Sequence, residues 1–173
     1  NFDTYRGRSF DLRYMLKKED VFWPAITVGL QDFAGTGIYA GEYVVATKTF
    51  DNTLLPGRVK VTGGLGWGRL GSHGSIGAPF GGNRGSFVGG STGGKPSFDQ
   101  WFRGSAAPFA GVEWAVNDRW TLKAEYSSDA YETEDGLREI FTRKSQFNFG
   151  TEYQYSDGLR LGAYYLYGSE IGR

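Results

Sequence analysis

The segment Leu159-Arg-Leu-Gly-Ala-Tyr-Tyr-Leu-Tyr167 places Leu, Leu, Ala, Tyr and Tyr at every second position, with Arg, Gly and Tyr among those between. The preceding segment, Gln146-Phe-Asn-Phe-Gly-Thr-Glu-Tyr-Gln-Tyr155, has the same period of two. Successive side chains of a β-strand point to opposite faces, so each segment predicts a strand with one aromatic-rich face and one polar face. Asp157-Gly158 between them predicts a hairpin with a type I′ turn.

The same alternation recurs along the rest of the chain, most weakly in the third segment. The predicted strands are 9–17, 22–32, 42–50, 59–69, 109–116, 120–127, 145–155 and 159–168. Short turns and long loops alternate between them, and the longest loop is 70–108. Bacterial outer-membrane barrels have short periplasmic turns and long external loops. The pattern therefore predicts an all-β fold, an antiparallel transmembrane β-barrel in the bacterial outer membrane.

The composition is compatible with such a barrel. No apolar run reaches the length of about 18 residues that a membrane helix requires, whereas barrel strands need only about 9 to 11. The 13 Phe, 11 Tyr, 5 Trp and 28 Gly fit aromatic girdles and glycine-rich loops. Nineteen acidic and nineteen basic residues balance, which disfavours nucleic-acid binding. The absence of cysteine excludes disulfides and thiolate chemistry.

The number of predicted strands indicates that the complete barrel has more than eight. Eight strands that begin on the loop side return to the loop side, whereas barrels of this class normally have both termini in the periplasm. We therefore expect residues 1–173 to be part of a single barrel domain that has flanking strands at both ends and at least about ten strands in total.

Four blocks of the chain resemble the YjbH family of exopolysaccharide-biosynthesis outer-membrane proteins, which includes GfcD-type proteins of capsule operons. The blocks are Arg8 to Tyr14 (RSFDLRY), Pro24 to Ile38 (PAITVGLQDFAGTGI), Gly41 to Lys48 (GEYVVATK) and Gly64 to Gly71 (GLGWGRLG). The resemblance implies an outer-membrane β-barrel with a role in producing or exporting extracellular polysaccharide. Longer members resemble two barrels in tandem, often with a lipid anchor. The resemblance supplies no catalytic motif.

Charged and amide side chains alternate with the apolar ones, and they are the candidates for lumen-facing positions. They are Asp11, Arg13, Lys17, Gln31, Glu42, Lys48, Arg69, Glu113, Lys123, Glu125, Glu152, Gln154 and Arg160. In a narrow barrel these groups would pair and fill the lumen, because an unpaired charge in a confined site is costly. In a wider barrel they would face water and select what passes. The first alternative is favoured and the second stays open.

Aromatic residues divide into two groups. Phe98, Trp101 and Phe102 in the long loop, with Phe80 and Phe87, could stack on sugar rings or fold into the barrel mouth, and the second alternative is slightly favoured. A further set is assigned to lipid or interface contacts. It comprises Tyr14, Trp67, Trp114, Trp120, Tyr126, Tyr153 and Tyr167.

Three motifs suggest other chemistry and are outweighed by simpler interpretations. Gly66 to Gly71 matches the dinucleotide pattern G-x-G-x-x-G, but a loop follows it instead of the required helix. His73, the single histidine, lies in no recognisable triad motif. The acidic segment 129–135 lacks the spacing of a calcium-binding loop. We predict no cofactor and no metal site.

The sequence therefore predicts a non-catalytic outer-membrane barrel that serves exopolysaccharide or capsule biosynthesis or export. Its expected partners are outer-membrane lipid, polysaccharide and other secretion proteins. Two other functions stay open: a general diffusion porin and a membrane-anchored enzyme that modifies polysaccharide. A soluble sandwich or lipocalin-like barrel would require a polar outer face, and the outward Leu, Trp, Tyr and Phe residues argue against it.

Overall fold

In a computed structural model of the chain, the described residues are 9–34, 40–53, 55–84, 96, 98–129, 145–166, 168 and 170–172. They form nine β-strands and one short 3₁₀ turn, Arg69–Gly71. The strands are β1 Leu12–Lys17, β2 Ala25–Gln31, β3 Gly41–Asp51, β4 Arg58–Gly68, β5 Ala106–Ala115, β6 Trp120–Tyr126, β7 Phe147–Ser156, β8 Leu159–Leu166 and β9 Glu170–Gly172. The eight predicted strands are confirmed, and β9 is an addition to them.

All nine strands belong to one sheet, in which each strand pairs antiparallel with the next along the chain. Within the part of the chain that the structure describes, β1 and β9 each pair on one side only, so the sheet is not closed. The prediction of an all-β, antiparallel fold is confirmed. No helix of the described residues is long and apolar enough to cross a membrane.

The register gives the sheet two chemically distinct faces. Leu12, Leu30 and Trp67 lie in one row across β1, β2 and β4, and the face that carries them is called the apolar face. Arg13 and Tyr43 lie in the neighbouring row, and their side is called the polar face. Because adjacent positions of a strand alternate between faces, these rows fix the side on which the strand residues lie, except at the register shifts in β1 and β7.

The sheet is strongly curled, with the polar face on the concave side. Arg13 in β1 and Glu125 in β6 line the same depression of about 300 Å³. In a flat sheet with about 4.8 Å between strands, β1 and β6 would be about 24 Å apart. Glycines on the concave side leave room for neighbouring rings. A Cβ atom at Gly64 would lie 2.4 Å from the Phe109 ring.

The apolar face is largely uncovered, and most of its aromatic side chains lie near the strand ends, whereas Tyr14 lies in the middle of β1. Trp120 and Leu122 of β6, for example, are 44% and 40% exposed. At the end where the short turns lie, the aromatics are Phe50, Trp114, Trp120 and Tyr153, and at the loop end they are Trp67, Tyr126, Phe147, Phe149 and Tyr165. Between them are mainly aliphatic residues, including Val44, Ala46, Val61, Leu65, Ala110, Val112, Leu122, Ala124 and Ala163.

The turn between β1 and β2 explains why β2 begins later than predicted. Asp20 Oδ1 accepts hydrogen bonds from the backbone N–H groups of Phe22 and Trp23 at 2.9 and 2.8 Å. An aspartate that binds the backbone of following residues stabilises a turn in competition with strand pairing. Lys48 of β3 donates to the carbonyl oxygens of Asp20 and Val21 and fixes the turn against the sheet.

The hairpin predicted at Asp157-Gly158 is present, but its turn type was predicted wrongly. A type I′ turn requires positive φ at both central residues. Neither residue is among the described positions with positive φ. The register instead shifts between Gln154 and Ser156. This bulge supplies local twist that a type I′ turn would otherwise give.

Candidate functional site on the polar face

A network of charged side chains lies on the polar face of β5 to β8. Lys123 Nζ is 2.7 Å from Glu152 Oε1 and 3.7 Å from Glu113 Oε2. Arg160 Nη1 is 3.5 Å from Glu152 Oε2, and the Tyr164 hydroxyl donates to Glu152 Oε1. Each strand supplies one side chain per two residues to this face, so the alternation of the sequence brings the four charges together. The network neutralises charges that the sequence predicted on this face.

Further predicted polar residues lie on the same face or at its ends. Arg13 Nε donates to the Tyr43 hydroxyl at 2.9 Å, and Gln31 lines the depression beside them. Glu125 also lines this depression, and within the described residues it forms no hydrogen bond or ion pair. Arg160 Nε donates to Gln154 Oε1 at 2.7 Å near the turn end.

Three predicted residues lie at the margins of the sheet. At the loop end, Asp11 accepts the backbone N–H of Asp32 at 2.9 Å, and Arg69 Nε is 2.6 Å from Asp129 Oδ2. At the turn end, a bulge in β1 places Lys17 opposite Ile26, on the apolar face, which corrects its predicted position on the polar face. Lys17 lies over the Trp23 ring and is 3.8 Å from Asp20.

The register corrects the predicted placement of Glu42 and Lys48. Glu42 lies opposite Trp67 and Lys48 opposite Val61, so both side chains are on the apolar face. Tyr43 is correspondingly on the polar face. The assignment of β3 was inverted because both of its faces are largely apolar, which leaves the alternation without a clear phase.

Glu42 is tolerated on the apolar face because the long loop covers it. Its carboxylate is 2% exposed, and Arg84 of the loop contacts it with Nη1–Oε2 and Nη2–Oε1 distances of 2.6 and 3.0 Å. The Phe102 N–H donates to Glu42 Oε2 at 3.1 Å. Phe80 and Phe102 pack on Trp67 with centroid distances of 5.8 and 5.3 Å. We call these five residues the loop clamp.

The loop clamp revises the predicted roles of several aromatics. Trp67 was assigned to lipid or interface contact, but the loop buries it to 2% exposure. Phe102 has a φ of 56°, uncommon for a bulky residue, and both its ring and its N–H are used in the clamp. Phe98 and Trp101 pack on each other at 4.7 Å, and Trp101 also contacts Phe33. Phe98 is 68% exposed. Phe87 and Tyr167 lie outside the described residues.

The single histidine and the dinucleotide-like glycine motif make local contacts within the fold. His73 Nε2 is 2.6 Å from the side-chain nitrogen of Gln146. Gly68, inside the dinucleotide-like motif, has a φ of 61° where β4 gives way to the 3₁₀ turn. Of the acidic segment only Asp129 is described. Within the described ranges no group of three or more His, Asp or Glu residues is arranged to hold a metal ion.

Three residues of the polar face were not among the sequence-based candidates. Tyr43 was overlooked because the phase of β3 was inverted, and Phe109 was assigned to neither face. Lys60 is on this face beside Glu113, and the alternation Val59-Lys60-Val61 could have identified it. Lys60 and Phe109 line a second depression of about 310 Å³, and Phe109 and Glu125 line both depressions.

The described residues thus define an all-β protein. It has one curled antiparallel sheet with a largely uncovered apolar face and a charge-balanced concave face. A family model described as "Exopolysaccharide biosynthesis protein YbjH" matches residues 1–173, so the chain belongs to the YjbH exopolysaccharide-biosynthesis family. The predicted resemblance is thereby confirmed.

One curated relative is much longer than this chain. The chain is 33% identical over 176 residues to the "Uncharacterized lipoprotein YjbH" of Escherichia coli (strain K12). The alignment covers 96% of this chain and 23% of that protein, so the chain spans about a quarter of its relative's length. No solved structure matches the chain.

Proposed function

We propose that the sheet is part of the wall of an outer-membrane β-barrel that serves the assembly or export of exopolysaccharide and catalyses no reaction itself. The apolar face would contact lipid and the polar face would line the lumen. Membership of the exopolysaccharide-biosynthesis family supports the pathway. The lipoprotein relative supports an association with membrane.

The observation that carries the proposal is the distribution of side chains on the apolar face. In β6 the outward residues run from Trp120 through Leu122 and Ala124 to Tyr126, so aromatic rings flank aliphatic side chains. Aromatic girdles on both sides of an apolar band are typical of outer-membrane barrels. A soluble protein rarely leaves an apolar surface of this kind uncovered.

The polar face supports passage or binding of a polymer rich in hydroxyl groups. Its central cations and anions lie within ion-pair distance of one another, as in the contacts of Lys123 with Glu113 and Glu152. Paired charges produce little net field, but they still offer hydrogen-bond donors and acceptors. Such a lining favours a neutral or weakly charged glycan over a small ion of one sign.

The arrangement of carboxylates supports the non-catalytic part of the proposal. Glycoside hydrolysis requires one carboxyl that donates a proton and a second at a defined separation. Glu152 is surrounded by the donors of Lys123, Tyr164 and Arg160, an environment suited to holding neighbouring strands together. A membrane-anchored enzyme would need a different pair of carboxylates.

Single-channel conductance of the full-length protein in planar bilayers tests the proposal, measured with and without the polysaccharide of its own strain. A stable conductance that the polysaccharide blocks is the expected result. Conductance that is indifferent to the polysaccharide would favour the general diffusion porin. Verified insertion without conductance would indicate a filled lumen and would move the function to the loops and their partners.

A further inference from the structure

We infer that the concave face carries an oligosaccharide-binding site centred on Phe109, an inference that rests on the proposed function and names its ligand site. The site, called the Phe109 groove, is formed by two adjoining depressions of about 300 and 310 Å³. The residues that carry the inference are Arg13, Gln31, Tyr43, Lys60, Phe109 and Glu125.

The two depressions of the groove adjoin each other across the sheet. Phe109 and Glu125 line both depressions, whereas Arg13 lines only the first and Lys60 only the second. The curl of the sheet brings β1 and β6 to the same hollow, so the groove runs across the strands. An elongated ligand of several sugar units suits this shape better than a compact metabolite does.

Two aromatic rings form an apolar surface within the groove. Tyr43 and Phe109 meet edge to face, with ring centroids 6.5 Å apart and planes at 80°. Both rings lie over glycines of neighbouring strands. A Cβ atom at Gly29 would lie 2.2 Å from Tyr43, and one at Gly64 would lie 2.4 Å from Phe109. Glycine at these positions lets the rings lie close to the sheet and leaves the hollow open.

Two charged groups of the groove differ from the rest of its charged lining. Within the described residues, Lys60 and Glu125 form no ion pair or hydrogen bond, and both residues are exposed. Glu113 and Lys123 also line the second depression, but Lys123 is already engaged with Glu113 and Glu152. The groove therefore has a free donor and a free acceptor.

This combination identifies the chemical class of the ligand. Sugar rings present apolar C–H surfaces to aromatic side chains and hydroxyl groups to donors and acceptors. The free charges have opposite signs, so they do not favour a polyanion. An oligosaccharide without strong net charge matches the aromatic surface, the mixed polar groups and the elongated shape together.

Isothermal titration calorimetry of the full-length protein in detergent micelles tests the inference. The probe is a set of oligosaccharides prepared by partial hydrolysis of the strain's own exopolysaccharide. We expect Glu125→Ala and Phe109→Leu each to raise Kd by tenfold or more. Glu125 is exposed and has no ion-pair partner within the described residues, so its variant keeps the test valid even if Phe109→Leu perturbs folding, which circular dichroism would reveal.

Matched controls distinguish the groove from general effects. Phe149→Leu removes a ring from the apolar face, and Asp118→Ala removes an acid from the β5–β6 turn. Both should bind as the wild-type protein does. Wild-type affinity in the two groove variants, equal weakening in the controls, or no binding by the wild-type protein would each overturn the inference.

The calorimetric result is separable from the test of the proposed function, because binding in micelles requires neither insertion nor conductance. Groove-dependent binding by a protein that fails to insert in bilayers would support the site and overturn the barrel. A conducting barrel whose groove variants bind normally would overturn the site alone.

Discussion

Glu42 and Arg84 form a two-point ion pair on the apolar face of the sheet, 42 positions apart in the chain, and the long loop covers the pair. Arg84 also donates to the carbonyl oxygen of Gln100 at 3.0 Å, so one guanidinium joins β3 to two parts of the loop. The contact shows how a charge can occupy a surface that is otherwise apolar. Glu42 thereby contributes to the attachment of the loop together with the packing of Phe80 and Phe102 on Trp67.

Glu42→Ala should destabilise the protein by about 3 to 5 kcal/mol, because removal of one partner leaves a buried, uncompensated charge. The free energy of unfolding in urea measures this effect. Asp51→Ala is the control, since the Asp51–Arg58 pair at the turn end is 63% and 67% exposed and solvent screens it, so its loss should change the free energy of unfolding little. Equal effects of the two substitutions would contradict the role assigned to the loop clamp.

Trp67→Ala should cost about 3 to 5 kcal/mol of unfolding free energy, because it empties the space beneath Phe80 and Phe102. Trp67→Phe should cost clearly less, because phenylalanine retains an aromatic ring at this position. Within the described residues the Trp67 indole N–H has no hydrogen-bond partner that the substitution would remove. Trp120→Ala, on the exposed part of the same face, should have the smaller effect of the two alanine variants. If Trp120→Ala were the more damaging, the loop would not be the main cover of Trp67.

The strands could be predicted from sequence because their pattern is local. In β6 the alternation of Trp120, Leu122 and Ala124 with Thr121 and Lys123 fixes both the strand and its phase within seven residues. The start of β5 was missed by three residues, since Ala106-Ala107-Pro108 has no strand signal. Proline is accepted there because β6 pairs with β5 only from Ala110 onward, which leaves no partner for an N–H at Pro108.

The loop clamp could not be predicted for the opposite reason. Val44, Val45 and Ala46 give β3 no clear polar side, so Glu42 and Lys48 were taken as markers of the polar face. What stabilises Glu42 is Arg84, which lies in a glycine-rich loop without periodicity. Pairing between such distant positions depends on how the loop folds over the sheet, and a single sequence does not contain that information.

Acid should loosen the turn between β1 and β2. The N–H groups of Trp23 and Phe22 hold the pKa of Asp20 below its ordinary value, and the N–H of Thr49 does the same for the pKa of Glu19. A carboxyl with a lowered folded pKa stabilises the fold fully above its unfolded pKa, and this contribution is lost as pH falls through the folded pKa. The stability of the turn should therefore decline as pH falls from the ordinary pKa of a carboxyl group toward the lowered folded pKa values of Asp20 and Glu19.

Amide hydrogen exchange, expressed as protection factors across acidic pH, measures this change residue by residue. Protection at Phe22 and Trp23 should fall with protonation of Asp20, and protection at Thr49 with protonation of Glu19. Asp20→Asn should remove the pH dependence at Phe22 and Trp23 and leave that at Thr49. Retained pH dependence at all three amides in this variant would show that another group controls the turn.

Gly29→Ala tests whether the concave face depends on close contact between rings and glycines. A Cβ atom at Gly29 would lie 2.2 Å from the ring of Tyr43, so that ring must move and its hydrogen bond from Arg13 must break or lengthen. Forced rearrangement of this kind typically costs about 1 to 3 kcal/mol. Gly63→Ala is the matched control, because Gly63 also lies within a strand and a Cβ atom there would meet nothing within 4 Å. Urea unfolding of the two variants should therefore show a lower free energy of unfolding for Gly29→Ala and little change for Gly63→Ala.

Gly29→Ala should also weaken oligosaccharide binding, since Tyr43 is part of the Phe109 groove. If both alanines were tolerated equally, the Tyr43 ring would not be held against the sheet, and the aromatic surface of the groove would lose its structural basis.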